Sequence, residues 1–170
     1  MADFKDILLQ KEINNLDVVP MKVVDLLAEK KLTLSVAESI TGGDICANLV
    51  KIPGVSKQFI GGIIAYSNLV KVNECNVLPK TIQLYGAVSS QVSLEMALGI
   101  QKKFHTNVSL ATTGFAGPKI DNEKVGLVYI SIVINKVDYT KQFIFKGDRN
   151  EIITQTTFNA FELLRYYISR

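Results

Sequence analysis

Hydrophobic and polar positions follow two periodicities along the chain, and these predict its elements. Runs that are apolar, or that alternate with period two, predict five strands at 32–37, 59–66, 108–113, 127–134 and 137–145. Apolar residues at helical spacing predict helices at 3–13, 20–31 and 150–168. Shorter helix-like stretches, two of them bounded by Pro or Gly, predict helices at 42–51, 67–77 and 79–84. A further helix, capped by Ser89 or Ser90, is predicted to end at Phe104.

The order of these elements indicates the fold class. Helices separate the first three strands, and the fourth is apolar almost throughout, as expected of a strand covered on both faces. A tight turn at Asn135–Lys136 joins the last two strands as an antiparallel hairpin. We therefore predict a three-layer α/β/α sandwich with a mixed, mostly parallel sheet of about five strands. Residues 1–170 are expected to form a single domain, with a helical extension at 1–18.

Composition narrows the class of protein. Hydrophobic residues make up 48% and charged residues 21% of the 170 positions, as in ordinary soluble domains. The net charge of +3 argues against nucleic acid as a partner, and no stretch of about 18 apolar residues predicts a membrane span. Two cysteines without CxxC spacing favour the reducing cytoplasm, and a single histidine leaves little material for a zinc site. These features favour a cytoplasmic protein that acts on small molecules.

Three polar turns follow predicted strands: AESITGG after the first, YSNLVK after the second and TGFAGP after the third. In open α/β sheets, ligands bind outside the carboxyl ends of the strands. If the three strands are parallel neighbours, the turns converge on one pocket. We expect the chemistry there.

The first turn, AESITGG, offers a nucleophile and an anion site. Ser39 lies where a strand turns sharply into a helix, a position from which a hydroxyl can attack a substrate. The first N–H groups of that helix favour an anion, and Gly42 and Gly43 allow close backbone approach. In the alternative interpretation Thr41 caps the helix and the glycines only shape the turn.

A base for Ser39 is available in the second turn. Lys71 follows Tyr66 by five residues, and a desolvated lysine has a lowered pKa and can accept a proton. Tyr66 is then a proton relay or an orienting group. Glu38 either orients Lys71 or accepts hydrogen bonds from nearby N–H groups. The alternatives are an exposed surface lysine and a buried tyrosine with its hydroxyl bonded.

Further candidates lie in the third turn and before the last helix. Thr113 can offer its hydroxyl to a ligand, unless the turn is only shaped by Gly114, Gly117 and Pro118. Arg149 can bind a phosphate through two hydrogen bonds, unless it pairs with the neighbouring Asp148.

Taken together, these motifs closely resemble the CinA C-terminal domain family, whose active members are nicotinamide-nucleotide amidases. The resemblance rests on AESITGG, PGVSKQFIGGIIAYSNLVK, YGAVS, TGFAGP, VG and FKGDR, which occur in one order between about 26 and 164. Each motif alone is modest, and the ordered set is specific. The N-terminal domain of longer family members is not found in this sequence, so a stand-alone form is expected.

The resemblance implies a fold, a reaction and a set of roles. The family fold is a three-layer sandwich with a mixed sheet. The family reaction hydrolyses nicotinamide mononucleotide to nicotinate mononucleotide and ammonia, without metal or cofactor, and members form dimers or higher oligomers. The matching motifs imply a nucleophilic Ser39, a basic Lys71 and an assisting Tyr66. The substrate-binding positions implied are Glu38, Thr41, Gly42, Gly43, Thr113, Gly114, Gly117 and Arg149.

One segment departs from the family pattern. After AGP, members carry a glycine-rich run with a proline before VG, whereas this chain has KIDNEK at 119–124. A second, minor departure is Ile40, which replaces a small residue or a cysteine. Two alternatives to the nicotinamide nucleotide therefore stay open: the same chemistry on another amide, and a nucleotide-binding module without catalysis.

Overall fold

The computed structural model describes residues 16, 18–118 and 124–170. The helix expected at 3–13, and with it nearly all of the extension at 1–18, lies outside the described residues. The single-domain assignment for 1–170 therefore stays a prediction.

The described elements follow the predicted order. The strands are β1 (Leu34–Glu38), β2 (Phe59–Ile64), β3 (Val108–Gly114), β4 (Leu127–Ile134) and β5 (Val137–Ile144). The helices are α1 (Val19–Glu29), α2 (Asp44–Val50), α3 (Asn68–Cys75), α4 (Pro79–Tyr85), α5 (Ser90–Phe104) and α6 (Arg149–Ile168), with a 3-10 turn at Val55–Lys57. Element bounds differ from the sequence prediction by only a few residues.

The sheet has the order β2-β1-β3-β4-β5. Strands β2, β1 and β3 are parallel neighbours, whereas β4 is antiparallel to both β3 and β5. The β4–β5 turn places Asn135 at φ 47° and Lys136 at φ 76°, as a two-residue hairpin with this twist requires. The predicted mixed sheet and hairpin are confirmed, and the three polar turns leave the same edge of the sheet.

Two apolar cores cover the two faces of the sheet, which confirms the three-layer architecture. Helices α1, α2 and α6 pack on one face, where Leu27, Val36 and Phe161 are fully buried. Helix α5, flanked by α3 and α4, packs on the other face through Val92, Met96 and Ile100. Helix α3 therefore approaches the sheet from the second face, and α2 approaches it from the first.

Glycines permit two close approaches between neighbouring elements. At Gly62 in β2, a side chain would meet the Cys46 Sγ atom of α2 at 2.4 Å, and the pairing of β2 with β1 is irregular just before it. At Gly99 in α5, a side chain would lie 1.6 Å from the carbonyl oxygen of Cys75, the last residue of α3. The backbones of α3 and α5 are therefore in direct contact at Gly99.

Candidate functional site

A cleft lies at the carboxyl ends of β1, β2 and β3, where the three polar turns meet. Its volume is about 260 Å³. It is lined by Ser39, Ile40, Tyr66, Asn68, Lys71, Ala87, Val88, Thr113, Gly114, Phe115, Ala116, Gly117, Pro118 and Arg149. Seven of the eleven candidate residues from the sequence line it.

Ser39 and Lys71 are in direct contact at the floor of the cleft. Strand β1 delivers Ser39 at its end, and the first turns of α3 deliver Lys71, whose Nζ atom donates to Ser39 Oγ at 3.0 Å. The two side chains are 8% and 2% exposed. Lys71 Nζ also donates to the carbonyl oxygens of Ala65, at 2.8 Å, and Tyr66, at 3.1 Å. The three acceptors match the three donors of an ammonium group.

Burial changes the acid–base behaviour of Lys71. The side chain lies away from water, and none of its three acceptors is a carboxylate. Desolvation lowers the pKa of Lys71 from the ordinary value to about 8. With that pKa, roughly a tenth of the protein carries a neutral amine at pH 7, and the share rises to about half at pH 8.

Tyr66 contacts Lys71 through its backbone and not through its phenol. Its carbonyl oxygen accepts from Lys71, while its side chain is 63% exposed at the mouth of the cleft. The phenol oxygen accepts a hydrogen bond from Arg149 Nη2 at 3.2 Å. The hydroxyl thus lies outside hydrogen-bond contact with the amine that it was expected to assist, and the buried-tyrosine alternative does not describe it either.

Glu38 turns away from Lys71. Its fully buried carboxylate accepts the backbone N–H groups of Gly43, at 2.9 Å, Ile45, at 3.1 Å, and Cys46, at 2.8 Å. The second sequence interpretation, a carboxylate bonded to nearby N–H groups, describes this contact. The anion expected at the start of α2 is therefore the protein's own carboxylate, which already occupies these three N–H groups.

Thr41, Gly42 and Gly43 shape the turn and lie outside the cleft lining described above. Thr41 is 4% exposed, and its hydroxyl shares a hydrogen bond of 2.9 Å with that of Thr112 on β3. Gly42 and Gly43 have φ values of 61° and 108°, a region that favours glycine. Gly43 precedes α2 in the capping position, so Thr41 is not the cap.

The third turn and the start of α6 form the opposite wall. Thr113 donates its hydroxyl to the Ala87 carbonyl at 2.9 Å, which brings the α4–α5 connection onto the cleft. Gly114 and Gly117 line the same wall. Arg149 Nη1 donates to the Gly117 carbonyl, while Asp148 accepts the Glu151 N–H at 2.9 Å as a helix cap. Arg149 is thus positioned by the turn and not by an Asp148 pair.

The lining of the cleft is cationic. Lys71 and Arg149 are its basic side chains, and the described lining contains no aspartate or glutamate. Arg149 is exposed, and the acceptors described above are uncharged oxygens. A guanidinium in this state can bind a phosphate or carboxylate through two hydrogen bonds.

Sequence reasoning missed six lining residues: Ile40, Asn68, Ala87, Val88, Phe115 and Ala116. Ala87 and Val88 lie between Gly86, which ends α4, and Ser89, which caps α5. The polar caps predicted this connection, but the bond that ties it to Thr113 joins elements distant in sequence. Asn68 lies in the helix predicted at 67–77, and nothing in that pattern marked it as a lining residue.

Two further features of the described residues concern metal binding and membrane spans. Among the described residues, no three His, Cys, Asp or Glu side chains lie close enough together to hold a metal ion. None of the helices described is both long and apolar enough to cross a bilayer.

Comparison with known proteins gives the family. The sequence model of the CinA C-terminal domain family matches residues 17–168. The chain belongs to the CinA C-terminal domain family. The ordered motifs and the three-layer fold agree with this membership.

Relatives and solved structures support the assignment over most of the chain. A CinA-like protein of Dictyoglomus thermophilum is 49% identical over 145 residues, which cover 84% of this chain and 35% of the relative. A putative competence-damage inducible protein of Acetivibrio thermocellus is 39% identical over 168 residues, 98% of this chain and 40% of the relative. This CinA C-terminal domain thus spans well under half of these curated relatives.

Solved structures have the same fold. A competence-damaged protein (CinA) superfamily protein from Escherichia coli has a TM-score of 0.90 at 26% identity, over 98% of this chain and 99% of that one. The competence/damage inducible protein CihA from Agrobacterium tumefaciens has a TM-score of 0.86 at 30% identity, over 91% and 96% of the two chains.

Proposed function

We propose that this CinA C-terminal domain is an amidohydrolase that converts nicotinamide mononucleotide and water into nicotinate mononucleotide and ammonia. The observation that carries the proposal is the contact of 3.0 Å between Lys71 Nζ and Ser39 Oγ inside an open cleft. A serine with a lysine base is an established variant of the nucleophile–base pair. The family resemblance suggests the substrate, and the contact between the two side chains suggests the chemistry.

The two carbonyls around Lys71 direct its lone pair. A neutral amine keeps two N–H donors, which the carbonyls of Ala65 and Tyr66 can accept. Its lone pair then faces Ser39 Oγ, and the Ser39 hydroxyl becomes the donor. Loss of that proton to Lys71 makes the Ser39 oxygen a nucleophile toward the carboxamide carbon.

The proton taken by Lys71 then serves the leaving group. Attack gives a tetrahedral intermediate, and its nitrogen takes the proton from Lys71 as the C–N bond breaks and ammonia leaves. The resulting ester of Ser39 is hydrolysed by a water that Lys71 deprotonates in the same manner. As the nicotinate leaves, the Ser39 oxygen takes this proton back from Lys71, which restores the hydroxyl and the neutral amine. Water adds across one amide bond, and no redox step is involved.

An oxyanion donor is available next to the nucleophile. The N–H of Ile40, the residue after Ser39, has no acceptor among the described residues, whereas the Ser39 N–H donates to the backbone carbonyl of Thr112 at 3.0 Å. In strand–turn–helix hydrolases the N–H after the nucleophile stabilises the oxyanion. Ile40 is our candidate for that role.

Arg149 is our candidate for the substrate phosphate. It is an exposed guanidinium of the cleft, positioned by the uncharged Gly117 carbonyl and the Tyr66 hydroxyl. A phosphate is a stronger acceptor than either and binds such a fork through two charge-assisted bonds. The family resemblance also leads us to propose a homo-oligomer that recycles pyridine nucleotides in the cytoplasm, which sedimentation velocity and cell fractionation would test.

Ammonia release from nicotinamide mononucleotide tests the reaction. The purified protein should release ammonia, and Ser39→Ala should lose at least about 1,000-fold in kcat because the nucleophile is absent. The matched control is Ser109→Ala, a serine of β3 whose buried hydroxyl has no described partner, and it should keep wild-type turnover.

The other outcomes separate the alternatives. Turnover of Ser39→Ala at the wild-type rate would overturn the mechanism. Ammonia from a different amide alone would support the same chemistry with another substrate, for which the altered segment at 119–124 is the motivation. Calorimetric binding of the nucleotide without product would indicate a binding module.

A further inference from the structure

One residue clamps both ends of the turn that carries the nucleophile. Glu38 is the last residue of β1, and its backbone pairs with Ile64 of β2 and Thr112 of β3. Its carboxylate reaches forward across the turn to the N–H groups of Gly43, Ile45 and Cys46. Residues 39–42 therefore form a loop that begins at the backbone of Glu38 and is closed by the hydrogen bonds of its carboxylate.

The bonds inside this loop are few. The Ser39 N–H donates to the Thr112 carbonyl at 3.0 Å, which ties the start of the loop to β3. Beyond it, the Gly42 N–H donates to the Ser39 carbonyl at 3.2 Å and the Asp44 N–H to the Thr41 carbonyl at 3.0 Å. The hydroxyls of Thr41 and Thr112 share one bond of 2.9 Å. Gly42 and Gly43 give the loop wide backbone freedom, which would allow Ser39 to move relative to Lys71. The three charge-assisted bonds to Glu38 oppose that freedom, since bonds to an ionised acceptor are about twice as strong as neutral ones.

We propose that Glu38 is a positioning residue for catalysis, which fixes the Ser39 turn against Lys71 and does not contact substrate. This inference rests on the proposed function. In this role the carboxylate of the AES motif binds the backbone at the start of α2 and is not part of the substrate site.

Replacement of Glu38 by glutamine tests the proposal. Glutamine keeps the shape but turns an NH₂ group toward a backbone N–H, so at least one of the three bonds is lost. We expect kcat for nicotinamide mononucleotide to fall on the order of 100-fold through misplacement of Ser39. KM should change by less than about threefold, since Glu38 does not line the cleft.

The chain offers a matched control in Glu95 of α5. Its carboxylate accepts the Leu78 N–H at 2.8 Å and the Thr81 hydroxyl at 2.7 Å, and so caps α4 away from Ser39. Glu95→Gln should lose similar bonds and a similar part of the thermal stability, with kcat unchanged. An equal fall in kcat for both variants would mean a general effect on folding and would overturn the proposal.

A second readout separates this inference from the choice of substrate. The rate at which a fluorophosphonate labels Ser39, followed by mass spectrometry of the intact protein, depends on the nucleophile and not on the amide. Slower labelling of Glu38→Gln than of Glu95→Gln supports the positioning role even if the wild type releases no ammonia from the nucleotide. Equal labelling rates overturn it even if the amidase activity is found.

Glu38→Asp is a second variant for the case in which Glu38→Gln does not fold. The aspartate keeps the charge but is one methylene shorter, so it should reach fewer of the N–H groups and lower kcat as well. If both Glu38 variants fail to fold, Glu38 serves the fold rather than turnover, and the proposal fails.

Discussion

The two ends of the cleft are built in different ways. At the inner end, Ser39 and Lys71 are 8% and 2% exposed, and the amine is held by backbone carbonyls. At the outer end, Tyr66 is 63% exposed and Arg149 holds only a carbonyl and a phenol. The inner end is fixed by the sheet and by helix starts, whereas the outer end depends on one long side chain.

The difference matches what each end has to do under the proposed function. Proton transfer between Lys71 and Ser39 requires a fixed distance and little water, since desolvation is what lowers the pKa of Lys71 to about 8. Binding of an anion tolerates movement, because a guanidinium can follow its partner. We therefore expect inner substitutions to change turnover and outer substitutions to change binding.

Lys71→Met should give the largest effect. It removes the proposed base while keeping a long apolar stem in the buried site, so kcat should fall about 1,000-fold in the ammonia assay. The control is Lys103→Met, which removes an exposed lysine paired with Glu74 at 2.6 Å and should leave kcat unchanged. Retention of turnover in Lys71→Met would remove the distinction between the two ends.

Arg149→Gln should act at the outer end. Loss of charge-assisted bonds to the phosphate should raise KM for nicotinamide mononucleotide about 10- to 100-fold, with kcat within about threefold of wild type. Nicotinamide riboside, which lacks the phosphate, serves as the control substrate, and its kcat/KM should be the same for both proteins. A fall in kcat alone would move Arg149 from binding to chemistry.

The pH dependence should report the inner end. Lys71 accepts a proton only when neutral, and below its pKa of about 8 the neutral fraction falls about tenfold per pH unit. The value of kcat/KM should therefore rise with pH from 6.5 and level off above about 8. Phosphate titration near pH 6 lies below this window. A rate independent of pH between 6.5 and 8 would exclude a neutral lysine base.

Tyr66→Phe should have the smallest effect. The carbonyl that accepts from Lys71 stays, and only the bond to Arg149 is lost. We expect kcat to change by less than about threefold and KM to rise by a factor of about two to five. A fall in kcat near 100-fold would restore the proton relay that the sequence suggested for the hydroxyl.

Much of the fold follows from local patterns. The alternation of strands and helices, the hairpin turn at Asn135–Lys136 and the cap at Ser89 are local signals, and each is where the pattern predicts it. The meeting of the three polar turns was conditional on parallel neighbours, and the order β2-β1-β3 meets that condition. Residue types and spacing also put Ser39 and Lys71 forward as a pair.

The remaining details of the site depend on directions that a sequence does not encode locally. Lys71 is held by carbonyls, which every residue possesses, so nothing in the letters marks Ala65 or Tyr66 for that task. The Thr41 hydroxyl meets Thr112 on a strand that follows far along the chain. Glu38 faces α2 because of how β1 ends, and its two sequence interpretations could not be separated without that geometry.

The absence of a side chain at Gly99 sets the distance between α5 and α3, the helix that carries the proposed base Lys71. Even a methyl group there would occupy the same space as the carbonyl oxygen of Cys75, so α3 and α5 would have to separate. Lys71 lies one turn before Cys75, and its own carbonyl accepts the N–H groups of Asn76 and Val77 at that helix end. The distance between the Lys71 amine and the Ser39 hydroxyl therefore depends on how closely α3 packs against α5, and Gly99 sets that packing distance.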